Sequence, residues 1–349
     1  METRNQVRVD SPLAWAALKA LRGPATDALR AAFARFAWCT LALTVGVIAW
    51  GAYVRATGSG AGCGSHWPTC NGEVVPRSPA AATVIEYAHR ASSGLALVLV
   101  LALAVAALAV FERGAPARRA ALASLGFMVT EAGIGAAVVL LKYVDQDRSV
   151  ARAVWVAVHL GNTFLLVAAL ALTAWWGRGG GGLRLRGRGA LAWPLGVSLG
   201  ALLLVGAAGA VTALGDTLFP AASLAEGVRG DLSPSAHFLV RLRVWHPLLA
   251  LGAAGLVLWA ALRVAERCPR GPVLALRAAL LWLLGVQLGG GLLNLVLLAP
   301  TWMQLVHLLL ADALWVALVL FAAAALAPEA GGPAPGPGAA GGRGAARPT

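Results

Sequence analysis

The sequence predicts an all-α polytopic membrane protein with eight transmembrane helices arranged as two pseudo-symmetric four-helix bundles. Three observations predict it. Of 349 residues, 59% are hydrophobic and only 12% charged, with a mean hydropathy of +0.75, more apolar surface than a soluble domain of this size can hide. Eight stretches reach the roughly 20 apolar residues a helix needs to cross a bilayer. The stretches in the second half of the chain also repeat features of the first.

The spans fall at 36–54, 84–111, 120–141, 153–176, 192–214, 238–262, 278–299 and 302–327. Helices are the only sensible reading, because backbone groups in lipid must be bonded within their own segment. Trp50, Trp175, Trp176, Trp193 and Trp302 cluster near span ends, where interfacial anchors are expected. Of the 28 Lys and Arg residues, 19 lie in the N-terminus, the tail and the loops on one side, and 6, Arg55 among them, lie in the opposite loops. The positive-inside rule then puts both termini in the cytoplasm. The net charge of +13 is no nucleic-acid signature, since no basic face carries interleaved aromatics.

Five segments follow. Residues 1–35 mix acids, bases and Pro and read as a cytoplasmic amphipathic extension, with Lys19, Arg22, Arg30 and Arg35 at the membrane surface, rather than a cleaved leader. Residues 36–176 form an N-terminal four-helix bundle and 192–327 a C-terminal one. Between them, 177–191 contains GRGGGGLRLRGRG, read as a flexible cytoplasmic linker. Residues 328–349 form a Gly, Pro, Ala and Arg tail, expected to be disordered. IEYAHRASSGLALVLVLAL around His89 parallels LRVWHPLLALGAAGLVLWA around His246, and VAVHLGNTFLLVAALAL around His159 parallels QLVHLLLADALWVALVLFA around His307. Each half has an even number of spans, so the halves share one orientation and relate by an axis along the membrane normal.

His89, His159, His246 and His307 each lie a few residues inside a span entering from the outer side. Ionisable groups in lipid-embedded helices are costly and usually functional. Two facing imidazoles per bundle suit the axial ligation of a haem, whereas zinc or copper wants three or four convergent donors. A pair of axially ligated haems is therefore expected, His89 facing His159 and His246 facing His307. Arg90, Arg241 and Arg243 lie at the outer helix ends and either pair with haem propionates or snorkel to headgroups.

Glu86 precedes His89 by three residues, on the same helix face. A carboxylate there either accepts a proton and stabilises charge on a reacting substrate or simply snorkels. The matching position in the second half is Arg243, an asymmetry that points to chemistry in one bundle and electron transfer in the other. Cys63 and Cys70 share the first outer loop, where oxidising conditions favour a disulfide, either a loop staple or a redox pair. Cys39 and Cys268 have no visible partner. His66 reads as solvated, and His237 as the end of a loop. Glu131 and Asp312 are single intramembrane acids expected to face the interior, with no role beyond a hydrogen bond. The Gly289–Gly291 cluster in span 7 fits either a helix break or close packing.

VRATGSGAGC…WPTCNG followed by IEYAHR resembles the first outer loop and second helix of the haem A synthase family of bacteria and mitochondria, over residues 36–327. The resemblance implies oxidation of the C8 methyl of haem O to the formyl of haem A by two successive hydroxylations, the geminal diol losing water. By position it assigns Glu86, His89 and His159 to the substrate haem site. It assigns His246 and His307 to a haem B for electron transfer, and Cys63 and Cys70 to an outer-loop pair. It further implies an inner-membrane location with haem sites near the outer face. The implied partners are haem O synthase, oxidase assembly factors, an unidentified electron donor and a second copy of the chain. The alternative is a di-haem membrane cytochrome that moves electrons without modifying haem. A transporter is the third class.

Overall fold

A computed structural model describes residues 24–77 and 79–328. Over these residues it is all-helical, with eight helices long and apolar enough to span a membrane, as the hydropathy predicts. In chain order the helices are α1 (Pro24–Ala56), α2 (Ala81–Val110), α3 (Pro116–Leu140), α4 (Val150–Gly177), α5 (Gly189–Leu218), α6 (Leu224–Leu232), α7 (Phe238–Leu242), α8 (Trp245–Arg267), α9 (Gly271–Val296) and α10 (Thr301–Leu326). Helix α1 begins well before residue 36, so residues 24–35 belong to the first helix rather than to an extension. The rest of the expected N-terminal extension, and the tail beyond 328, lie outside the described residues.

The predicted span 238–262 is interrupted. A turn at Arg243–Val244 separates α7 from α8. Pro247 has no N–H for the Arg243 carbonyl, and its ring collides with that carbonyl in a continuous helix. The His246 amide bonds Arg243 O instead, at 3.3 Å.

Helix α1 packs on α2 and α4, α2 on α3, and α3 on α4; separately, α5 packs on α8 and α10, and α9 on α8 and α10. The two groups meet where α1 and α4 touch α5 and α10. At that seam Phe164 stacks on Trp315 at 5.3 Å, and the Trp315 indole donates to Phe164 O. Helix α10 is the most enclosed of the spans. Large apolar side chains elsewhere face outward, among them Val98, Leu251, Trp282 and Leu292, while Trp193 and Trp302 stand exposed near helix starts. Such faces are stable only against lipid or another apolar surface.

Helices α3 and α9 end alike. Lys142 and Leu298, 156 residues apart, both adopt positive φ, and the next amides bond back to Val138 O and Asn294 O. The segment after α4 is not a free tether. Trp176 donates to Gly181 O, the Arg184 amide to Leu326 O, and the Arg188 guanidinium to Ala325 O, tying it to the end of α10.

Candidate functional site

Each of the four histidines packs against a glycine on the preceding membrane helix. A Cβ added at Gly51 would stand 2.8 Å from His89 Cε1, at Gly209 2.9 Å from His246 Cε1, and at Gly291 3.0 Å from His307 Cε1; at Gly135 it would stand 3.9 Å from His159 Cε1. At the first three positions the imidazole thus occupies space that any other residue would fill. Since α1, α3, α5 and α9 present these glycines near their C-terminal ends and α2, α4, α8 and α10 begin near their histidines, all four imidazoles lie toward the same end of the helices. Helix α9 runs unbroken through Gly289–Gly291; Gly290 and Gly291 pack closely on Leu310 and His307, while Gly289 faces open space.

The His246 and His307 rings face each other with centroids 6.5 Å apart and planes at 89°. His89 stands on α2 and His159 on α4, helices that both pack on α1. Nδ1 of His89, His246 and His307 is buried without a hydrogen-bond partner. Among the described residues no three His, Cys, Asp or Glu side chains converge to hold a metal ion. A metal held by these imidazoles would have to bring further ligands, as a porphyrin does, and two apposed imidazoles are the axial set such a group takes.

Glu86 is buried at the junction of α2 and the outer loop. One oxygen pairs with Arg90, and the other accepts the Cys63 amide at 2.8 Å. Arg90 also donates to His66 O and Thr69 O. The loop is drawn tight by the Cys63–Cys70 disulfide and by Thr83, which donates to Gly62 O. Only glycine fits at position 62, where a Cβ would meet the Ala82 backbone at 2.5 Å. Glu86 therefore anchors the disulfide loop over the helix that carries His89, a structural link its spacing did not reveal.

Arg243, at the matching position, pairs with Asp216 at 3.2 Å and Asp231 at 2.8 Å and donates to Phe219 O. Arg241 is exposed. His66 is exposed, as expected; His237 caps α7 by accepting the Leu239 amide and stacks on Phe219. Cys39 is exposed and Cys268 buried, both unpaired in disulfide terms. Arg55 is not a loop charge. It sits in the last turn of α1 and donates to Ala213 O, Thr217 and Gln304, bridging α1 to α5 and α10.

Two intramembrane acids depart from expectation. Asp312 is buried, but neither of its oxygens finds a hydrogen-bond partner. Glu131 is a histidine partner: Oε1 lies 3.0 Å from His159 Nε2, and the carboxylate also accepts from Thr163 and Asn162. Thr130 donates to Asn162 Oδ1 at 2.6 Å. In the second half Gln287 Nε2 lies 3.4 Å from His307 Nε2. A signal for this pair was in the sequence: Glu131 and Gln287 each stand four residues before a histidine-facing glycine, Gly135 and Gly291, at a common offset of 156.

The chain is 52% identical over 293 residues to proteins named protoheme IX farnesyltransferase from two strains of Thermus thermophilus, covering 84% of this chain and 48% of those proteins. It thus spans about half the length of these relatives. A heme A synthase from Alkalihalophilus pseudofirmus is 35% identical over 126 residues, covering 36% of this chain and 40% of that enzyme. The corresponding enzyme of Bacillus mycoides is 39% identical over 94 residues, 27% of this chain and 30% of its own. The family model for COX15-CtaA, cytochrome oxidase assembly protein, matches residues 34–319, from the first membrane helix into the last and across all four histidines. The chain belongs to the COX15-CtaA family of cytochrome oxidase assembly proteins.

Proposed function

We propose that this protein is a haem A synthase, an oxidoreductase that converts the C8 methyl of haem O to the formyl of haem A, built from two pseudo-symmetric four-helix halves. The observation that carries the reading is the twice-repeated pairing of an imidazole with a glycine notch, at offsets of 157 between His89 and His246 and 158 between Gly51 and Gly209, in a chain of this family. His89 and His159 hold the substrate, and His246 and His307 hold a resident haem B. When bound, that haem B supplies one-electron transfer.

The chain's own residues do the rest. The paired imidazoles of each half would hold the porphyrin iron, and the disulfide loop covers the outer end of α2. Glu86 holds that loop through the Cys63 amide, and its carboxylate manages proton or charge at the reacting carbon. Arg241, whose side chain is exposed, suits a propionate; Arg90 and Arg243 already hold Glu86 and two aspartates. Both termini are cytoplasmic and the haem sites lie near the outer face of the cell membrane, as the Lys and Arg distribution favours. The Thermus relatives are named for farnesyl transfer to protoheme IX, and this chain matches 48% of their length. A haem O synthase and oxidase assembly factors are the partners this reading expects.

The test is haem extraction and chromatography after expression in cells that make haem O. Haem A or its hydroxymethyl precursor should accumulate with this chain, and Glu86→Ala should retain haem while losing at least roughly 100-fold in product, the scale of a lost proton-transfer group. Haem B alone, with no oxidised product, favours the di-haem cytochrome. The full engagement of Glu86 by Arg90 and Cys63 is the observation on that side.

A further inference from the structure

Glu131 and Gln287 occupy matching places and differ in charge. Each lies on the helix before its histidine, four residues ahead of the glycine that the histidine packs on, and each faces Nε2 of that histidine. In His89 and His246 the buried, unpartnered ring nitrogen is Nδ1, which leaves Nε2 as the nitrogen open to a ligand. At His159 that nitrogen is turned to a carboxylate. A supporting carboxylate ordinarily bonds the ring nitrogen that the metal does not use; here it bonds the one the metal needs. An Nε2 that donates its hydrogen to Glu131 has no lone pair to give an iron.

We infer that Glu131 is a positioning residue that competes with the substrate's iron for His159, making axial ligation in the first half reversible. Gln287, at the matched place, offers His307 only a neutral and longer contact, so the second half keeps its haem. This rests on the haem assignment above. The two sites make opposite demands: a porphyrin that is substrate and then product must arrive and leave, whereas an electron-transfer haem must stay. Thr163, Asn162 and Thr130 hold the carboxylate in place, so the resting pair is pre-formed. A hydrogen bond to an ionised group is roughly twice as strong as a neutral one. Stabilising the haem-free site in this way weakens haem binding, and a carboxylate that captures Nε2 as the iron–nitrogen bond breaks speeds release.

The experiment uses the full chain, purified in detergent and loaded with haem B, mixed with excess apomyoglobin; haem transfer is followed by absorbance. Two phases are expected, the faster from the first half, and His159→Ala should remove it. Glu131→Gln should slow the fast phase about tenfold while keeping full haem content and a low-spin bis-imidazole spectrum, which a merely damaged site would lose. The mirror substitution Gln287→Glu should speed the slow phase by a similar factor. The inference is overturned if Glu131→Gln leaves the fast phase unchanged or accelerates it while His159→Ala still abolishes it. If His159→Ala leaves both phases and the haem content intact, the haem assignment itself fails, and the inference with it.

Discussion

The first four membrane helices and the last four seat their histidines alike and surround them differently. Gly51 makes room for His89 as Gly209 and Gly291 do for His246 and His307, while Gly135 lies at van der Waals distance from His159. Around that common frame the first half places two acids, Glu86 and Glu131, and a disulfide-closed loop. The second half has Arg243 and Gln287 at the same places, with Arg243 held by Asp216 and Asp231. Backbone-level fit is thus repeated while charge is changed. Packing constraints apply to any porphyrin-sized guest, whereas the charged groups beside it decide what happens to that guest.

The largest expected effect that would break this comparison comes from removing a ligand on each side. His159→Ala should halve the haem content and end product formation. His307→Ala should also halve the content, leaving the first half able to take up haem; pyridine haemochrome quantification separates the outcomes. Equal total loss in both variants would mean that the halves do not bind independently.

Smaller and sharper is the glycine contrast. Gly51→Ala puts a methyl at 2.8 Å from the His89 ring, and Gly135→Ala puts one at 3.9 Å from His159, ordinary van der Waals contact. The first should cost about 1–3 kcal/mol by overpacking and shift the haem spectrum from low spin. The second should be nearly silent. Thermal unfolding and the absorption spectrum read both. A silent Gly51→Ala would show that the imidazole moves freely and that the notch does not position it.

The smallest effect on haem and product belongs to the loop, whose change falls on stability. Replacing Cys63 and Cys70 by Ser removes a cross-link spanning seven residues, which should cost about 2–3 kcal/mol. Activity should survive, because Thr83 and Glu86 still bind the loop at Gly62 and Cys63. Loss of all product with haem content unchanged would instead mark the pair as redox-active.

Much of this is legible in the chain alone. Hydropathy locates the eight spans, and the Pro247 interruption is available in principle, since proline disrupts the helix bond to the residue four before it. The histidines stand out because imidazoles are rare in lipid. Glu131 does not stand out, because one intramembrane acid has no assignable partner until the helix beside it is placed. Arg55 reads as a loop charge for the same reason: its partners lie 158 to 249 residues away.

Composition and local pattern by themselves determined that the chain spans a membrane, where its helices lie and which side chains are chemically unusual. These follow from burial energetics and helix periodicity, which act over a few turns. Only the tertiary structure decided which glycine faces which histidine, that Glu131 holds His159 while Gln287 stands off His307, and that Glu86 is bound to the loop. Those pairings depend on how separate helices are turned about their axes. That rotation is set by packing among all eight spans together, so no single segment encodes it.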